Sequence, residues 1–128
     1  SLEHNVFDLT NEVLSGNSEK AVQLYEDLLL QGEETIKLNA ILLKQIRLLL
    51  QTKILAKMGY QQANIADTLK VHPYRVKLAL QQVRRFELSR LERRYDELVE
   101  NDYRMKTGQM DKELLFQLFI LKLTAQAK

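Results

Sequence analysis

The sequence predicts an all-α fold: a compact bundle of about six to seven helices around one long central helix. Three observations carry this expectation. Hydrophobic residues make up 45% of the 128 residues and charged residues 28%, which is too apolar for a disordered chain. There are only four glycines and one proline, and a β-rich fold needs more of both at its turns. Between the glycines, apolar residues recur every three or four positions, and no alternating strand pattern is visible. Residues 1–128 are read as a single helical domain.

The glycines act as stops. Gly16, Gly32, Gly59 and Gly108 each follow a stretch with helical spacing, where a positive φ closes a helix. The first helix is expected over 5–15, with Val6, Leu9 and Val13 on one stripe. Ser18 is the expected N-cap of the second, which turns Ala21, Leu24, Tyr25 and Leu28 inward. The third is expected over 34–58. Its row of Ile36, Leu38, Ile41, Leu42, Ile46, Leu49, Leu50 and Ile54 is widened by Leu43, Leu48 and Leu55. A helix so apolar around its circumference belongs at the centre, contacted from several sides. A short helix follows over 62–69. Pro73 opens the fifth, because proline suits a first helical turn; Val76, Ala79, Leu80 and Val83 face inward and the helix ends near Phe86. Leu88 or Ser89 starts the sixth, with Leu91, Tyr95, Leu98, Asp102 and Met105 on one face. Asp111 can cap the seventh, whose core side is read as Leu114, Leu118 and Leu121 together with Phe119.

Several function classes are disfavoured. Cysteine is absent, so disulfides and cysteine-based zinc sites are ruled out. No run approaches 18 uncharged apolar residues, and no membrane span or membrane partner is expected. The start, Ser1-Leu2-Glu3-His4, lacks the features of a signal peptide and reads like the cut edge of a longer protein. His4 and His72 have no ligands at one-turn spacing, so no metal is expected. His72 reads more simply as the residue that leads into the helix opened by Pro73. Lys106-Thr107-Gly108 has the wrong order for a phosphate loop; a basic last turn followed by a glycine stop explains it better. The carboxylates lie on polar helix faces rather than in a pocket that would shift a pKa. No catalytic residue, cofactor or enzymatic activity is therefore assigned to this segment.

The net charge of +2 conceals an asymmetry. Residues 1–35 carry Lys20 against eight carboxylates, a net of −7, whereas residues 36–86 carry ten bases against Asp67 alone, a net of +9. Solvated helix faces explain such runs; a basic face toward DNA, RNA or an acidic neighbouring subunit explains them too. Within the basic region, residues 62–86 hold a helix-turn-helix-like pattern. Ala66 is small enough for two helices to approach, and Ile65, Leu69, Val71, Val76 and Ala79 sit where that motif needs apolar contacts. Lys70 occupies the usual turn glycine position, which puts the tight turn in doubt. A DNA-reading pair would expose Tyr74, Arg75, Lys77, Gln81 and Arg84 on its second helix. A helical pair used only for packing has the same local pattern.

The order of segments along nearly the whole chain resembles the C-terminal domain of the bacterial DNA polymerase III delta subunit, above all its low-GC Gram-positive members. The residues that carry the resemblance begin with 5–10, Asn-Val-Phe-Asp-Leu-Thr, then Lys20-Ala21, Leu28 and Gly32-Glu33-Glu34. They continue through 45–50, Gln-Ile-Arg-Leu-Leu-Leu, and 71–77, Val-His-Pro-Tyr-Arg-Val-Lys. Asp102-Tyr103 and Lys106-Thr107-Gly108 close the set. Relatives often place proline where Thr35 stands, a departure expected to matter little. The resemblance implies a clamp-loader collar domain in DNA replication. Such a domain packs beside delta-prime and tau/gamma type subunits in the bacterial cytoplasm, and its parent belongs to the DNA polymerase III holoenzyme. It also implies that the sliding clamp is met only through N-terminal ATPase-like modules absent here, and that any DNA contact is indirect. On exposure alone, Arg84, Arg85, Arg93, Arg94 and Arg104 are the candidate subunit-interface residues.

Overall fold

A computed structural model describes residues 1–126, with side-chain burial described through Leu123. The element order is α1 (Leu2–Ser15), α2 (Ser18–Leu30), α3 (Thr35–Lys57), α4 (Gln62–Leu69), α5 (Pro73–Val83), α6 (Leu88–Lys106) and α7 (Lys112–Gln126). No strand occurs among the described residues. The expected all-α bundle is thus the observed architecture, and α3 is its axis.

Leu38, Leu42, Ile46 and Leu49 of α3 are fully buried, and α3 packs against α1, α5, α6 and α7. The outward strip of α3 carries Lys37, Lys44, Arg47, Gln51 and Ile54, and Lys57 is exposed at its end. The main core gathers Leu9, Val13 and Leu14 of α1, Tyr25 and Leu28 of α2, the α3 row, Leu91, Leu98 and Met105 of α6, and Phe116 and Ile120 of α7. A smaller cluster of Ile65, Ala66 and Val76 holds α4 to α5, with Leu55 and Ala56 from the end of α3.

Polar groups fix where the helices cross and stop. Asn39 on α3 donates to the Leu98 carbonyl of α6 at 3.1 Å. Lys53 on α3 donates to the carbonyls of Val83 (2.9 Å) and Phe86 (2.6 Å). A cation on the last carbonyls of a helix is favourable; α5 ends at Val83, three residues before the expected Phe86. Gln82 of α5 donates to Asn11 of α1 at 2.9 Å, and Gln45 of α3 donates to Gln82 at 3.4 Å. One glutamine therefore links three helices.

The structure departs from expectation in a few places. The Ser1 hydroxyl accepts from the His4 amide, so α1 begins at Leu2 rather than near Asn5. Asn17, not Ser18, caps α2 by accepting from the Lys20 amide at 3.3 Å. Ser18 instead donates to the Ile120 carbonyl at 2.7 Å and ties α2 to α7. The inward face of α7 differs from the expected one. Leu115, Phe116, Phe119, Ile120 and Leu123 are buried, while Leu114 and Leu121 are exposed. Only Phe119 of the expected set faces the core. Leu and Phe lie around the whole of α7, so periodicity alone could not set its rotation.

The α4–α5 turn forms despite lacking glycine. Lys70 takes a left-handed conformation (φ 56°, ψ 47°) and the Val71 amide reaches the Ala66 carbonyl at 3.0 Å. Such a conformation costs a side-chain-bearing residue roughly 1–2 kcal/mol. Lys70→Gly should therefore raise stability by about 0.5–1 kcal/mol, after the greater freedom glycine gives the unfolded chain. Ile46→Ala or Leu49→Ala should lower it by roughly 2–5 kcal/mol. Both are read by chemical denaturation; a change of only a few tenths in the alanine variants would place α3 at the periphery.

Candidate subunit interface

His72 and the Lys-Thr-Gly stretch serve the helix ends. Among the described residues, no group of three His, Cys, Asp or Glu is placed to hold a metal. The His72 ring accepts from the Tyr74 amide at 3.0 Å and caps α5, as its position before Pro73 suggested. Lys106 pairs with Asp102 at 2.9 Å, the Thr107 hydroxyl donates to the Tyr103 carbonyl at 2.9 Å, and Gly108 has a φ of 69°. That stretch is the end of α6.

On the basic side, α5 buries Val76, Ala79, Gln82 and Val83. Tyr74, Arg75, Lys77, Gln81 and Arg84 are all exposed, as a helix-turn-helix reading requires. Gln62 of α4 donates to the Pro73 carbonyl at 3.2 Å and closes the corner.

The five interface arginines do not share one surface. Arg84, Arg85 and Arg93 are exposed and Arg104 is half-buried. Arg85 lies against the end of α1, reaching Ser15 at 3.4 Å, and covers the Phe86 ring at 5.4 Å. Arg94 must be withdrawn as an exposed candidate. It is only 1% exposed and pairs with Glu97 one turn along α6. The Glu97 spacing was readable in the sequence, but a charged residue on a polar helix defaults to solvent. Arg90, not singled out from sequence, donates to the Leu14 carbonyl at 3.0 Å and fastens α6 to α1.

The surface of α2 is acidic. Glu19, Glu26 and Asp27 are exposed on α2. Between the α2–α3 turn and the start of α7 lies a cleft of about 440 Å³, lined by Leu29, Glu33, Glu34, Ile36, Asp111 and Glu113 among others. Asp111 accepts from the Leu114 amide at 3.0 Å and caps α7 as expected. Below the cleft, the Tyr25 and Thr35 hydroxyls bond at 2.6 Å, and the Tyr25 ring stacks on Phe116 with centroids 4.6 Å apart. Thr35 is therefore more than a tolerated departure at a helix start, because proline there would leave the buried Tyr25 hydroxyl without this partner. Burial raises the Tyr25 pKa above its ordinary 10.0; the Thr35 bond opposes the rise, and Glu113 and Asp111 add to it.

Above this cleft, α7 turns Leu114, Leu118 and Leu121 outward. Leu114 and Leu121 are 43% and 63% exposed, and Leu118 is half-buried.

A family model described as DNA polymerase III delta subunit, C-terminal domain, matches residues 3–123. The chain belongs to this family. It is 48% identical over 123 residues to the DNA polymerase III subunit delta of Bacillus subtilis (strain 168), covering 96% of this chain and 35% of that protein. A solved structure, the Bacillus subtilis DNA clamp loader delta protein, matches with a TM-score of 0.90 at 47% identity, covering 98% of this chain and 37% of that one. The chain thus spans little more than a third of the relatives it matches. No described helix is long and apolar enough to cross a membrane.

Two outcomes follow from the buried polar groups. The folded protein holds the Tyr25 proton more tightly than the unfolded chain does. That stabilisation is complete below pH of about 10 and is lost as pH rises through the higher folded pKa. Tyr25→Phe should flatten the fall in stability above pH of about 10, seen by denaturant titration, and cost about 1 kcal/mol at neutral pH; an unchanged slope would contradict this. Arg94→Ala should cost about 3 kcal/mol or more by leaving Glu97 unpaired and the site unfilled, whereas Arg93→Ala should stay within about 0.5 kcal/mol.

Proposed function

We propose that this segment is the C-terminal collar module of a bacterial clamp-loader delta subunit, and that its work in DNA replication is assembly. The observation that carries the reading is the match to a delta C-terminal family over residues 3–123, with a DNA clamp loader delta protein superposing at a TM-score of 0.90. On this reading the segment is one helical module of a longer, cytoplasmic subunit of the DNA polymerase III holoenzyme. Its partners are the delta-prime and tau/gamma type subunits, and it meets the sliding clamp only through upstream modules. The polar side chains described above cap helices and bridge them, which suits a scaffold rather than a reaction site. The acidic and basic sides suit lateral faces matched to different neighbours.

A DNA-reading role for α4–α5 is the lesser reading. Its support is the exposed row of Tyr74, Arg75, Lys77, Gln81 and Arg84. It predicts duplex binding that falls steeply with salt and weakens in Arg75→Ala and Arg84→Ala.

Gel filtration separates the two. Mixed with the delta-prime and tau/gamma type subunits at micromolar concentration, the subunit carrying this segment should elute as one stable complex. Deleting the segment should abolish that complex. Assembly that survives the deletion would overturn the collar reading.

A further inference from the structure

We propose that the outward leucine stripe of α7, together with the acidic cleft at its N-terminal end, docks a neighbouring helical subunit that presents an apolar row beside a lysine or arginine. This rests on the assembly reading above and assigns it a surface.

At 100° per residue, Leu114, Leu118 and Leu121 fall within about 60° of arc and extend about 10 Å along the helix. They occupy the middle of the face directed away from Leu115, Phe116, Phe119, Ile120 and Leu123. An outward face of a stand-alone domain normally carries charge. Its neighbour α6 does, with exposed Glu92, Arg93, Asp96 and Glu100. Among the described residues of α7 the leucines are flanked by Gln117 and Lys122, and nothing within the described fold covers this apolar stripe on an otherwise well-buried helix.

The cleft specifies what else the occupant brings. Glu33 is paired with Lys37 at 3.3 Å, and Asp111 is engaged as the cap of α7. Glu34 and Glu113 remain with no ion pair among the described residues, and Lys112 is the lone base on the lining. The same rim exerts a negative field on buried Tyr25. Leu29 and Ile36 provide apolar walls, and Leu30, next to Leu29 in sequence, stands 86% exposed. An apolar wall beneath free carboxylates fits the aliphatic stem and cationic head of a lysine or arginine. Leucines beside such an anchor form the apolar centre and polar edge of a subunit contact.

The test uses the full subunit and the purified delta-prime and tau/gamma type subunits as probes. Leu114→Gln/Leu121→Gln should weaken association at least 10-fold while helix content and thermal midpoint hold. Glu34→Lys/Glu113→Lys should weaken it about 3- to 10-fold and lower its salt dependence. A photo-crosslinking residue in place of Leu121 gives a readout that does not depend on either pair, and it should capture a different loader subunit. Association unchanged in both pairs would overturn the proposal while leaving the collar reading intact. A crosslink to the upstream part of the same subunit, or to a second copy through the exposed Met58 and Tyr60 beside Lys57, would overturn it too. Failure of the unsubstituted subunit to assemble would instead remove the collar reading on which it rests.

Discussion

Leu38, Leu42, Ile46 and Leu49 leave no surface to solvent, and they lie along a single helix of 23 residues. Burying that helix on all but one strip dictates most of what surrounds it. α1, α5, α6 and α7 each bring an apolar face to α3, and α2 closes over α1 and α7. The polar bonds across these seams do less to hold the helices than to set their positions. Gln82 and Lys53 sit at crossings where a slip of one turn would leave a buried donor unsatisfied.

That arrangement also determines which faces stay free. α3 offers a basic strip, α5 a basic row beginning at Tyr74, and α2 an acidic side. Between the acidic first 35 residues and the basic middle, Glu33 pairs with Lys37, while Glu19, Glu26 and Asp27 on α2 and Arg75, Lys77 and Arg84 around α5 stay exposed. Distinct charged helix faces and an uncovered leucine stripe suit the proposed contact with neighbouring subunits.

Much of this fold was legible in the sequence, and the physical reason is local. Gly16, Gly32, Gly59 and Gly108 all have positive φ, a demand that glycine meets without strain. Pro73 and His72 marked the start of α5, and the apolar breadth of α3 announced its central place. The rest depended on information the chain does not carry locally. Rotation of α7 was hidden because Leu114, Leu118 and Leu121 are as apolar as the residues that face the core. That error has a physical reading of its own, since a stripe patterned like a core face suits burial by another subunit. Arg94 carries the same charge as its exposed neighbour Arg93, but it lies on the Leu91, Leu98 and Met105 stripe of α6 and is buried with it. The bond between Tyr25 and Thr35 joins two helices across a turn, beyond the reach of helical periodicity. For the candidate interface, the charge asymmetry was readable in the sequence, but of the arginines chosen by exposure Arg94 is buried and Arg104 half-buried.

The central claim is that the face left uncovered by the α3-centred fold is covered on assembly. Hydroxyl-radical footprinting of the subunit, free and within the reconstituted loader, tests it most directly by reporting side-chain exposure position by position. The account predicts that labelling of Leu114, Leu118 and Leu121 drops several-fold in the loader while buried Leu49 stays unlabelled in both states. Equal labelling of the three leucines in the free subunit and the intact loader would contradict it.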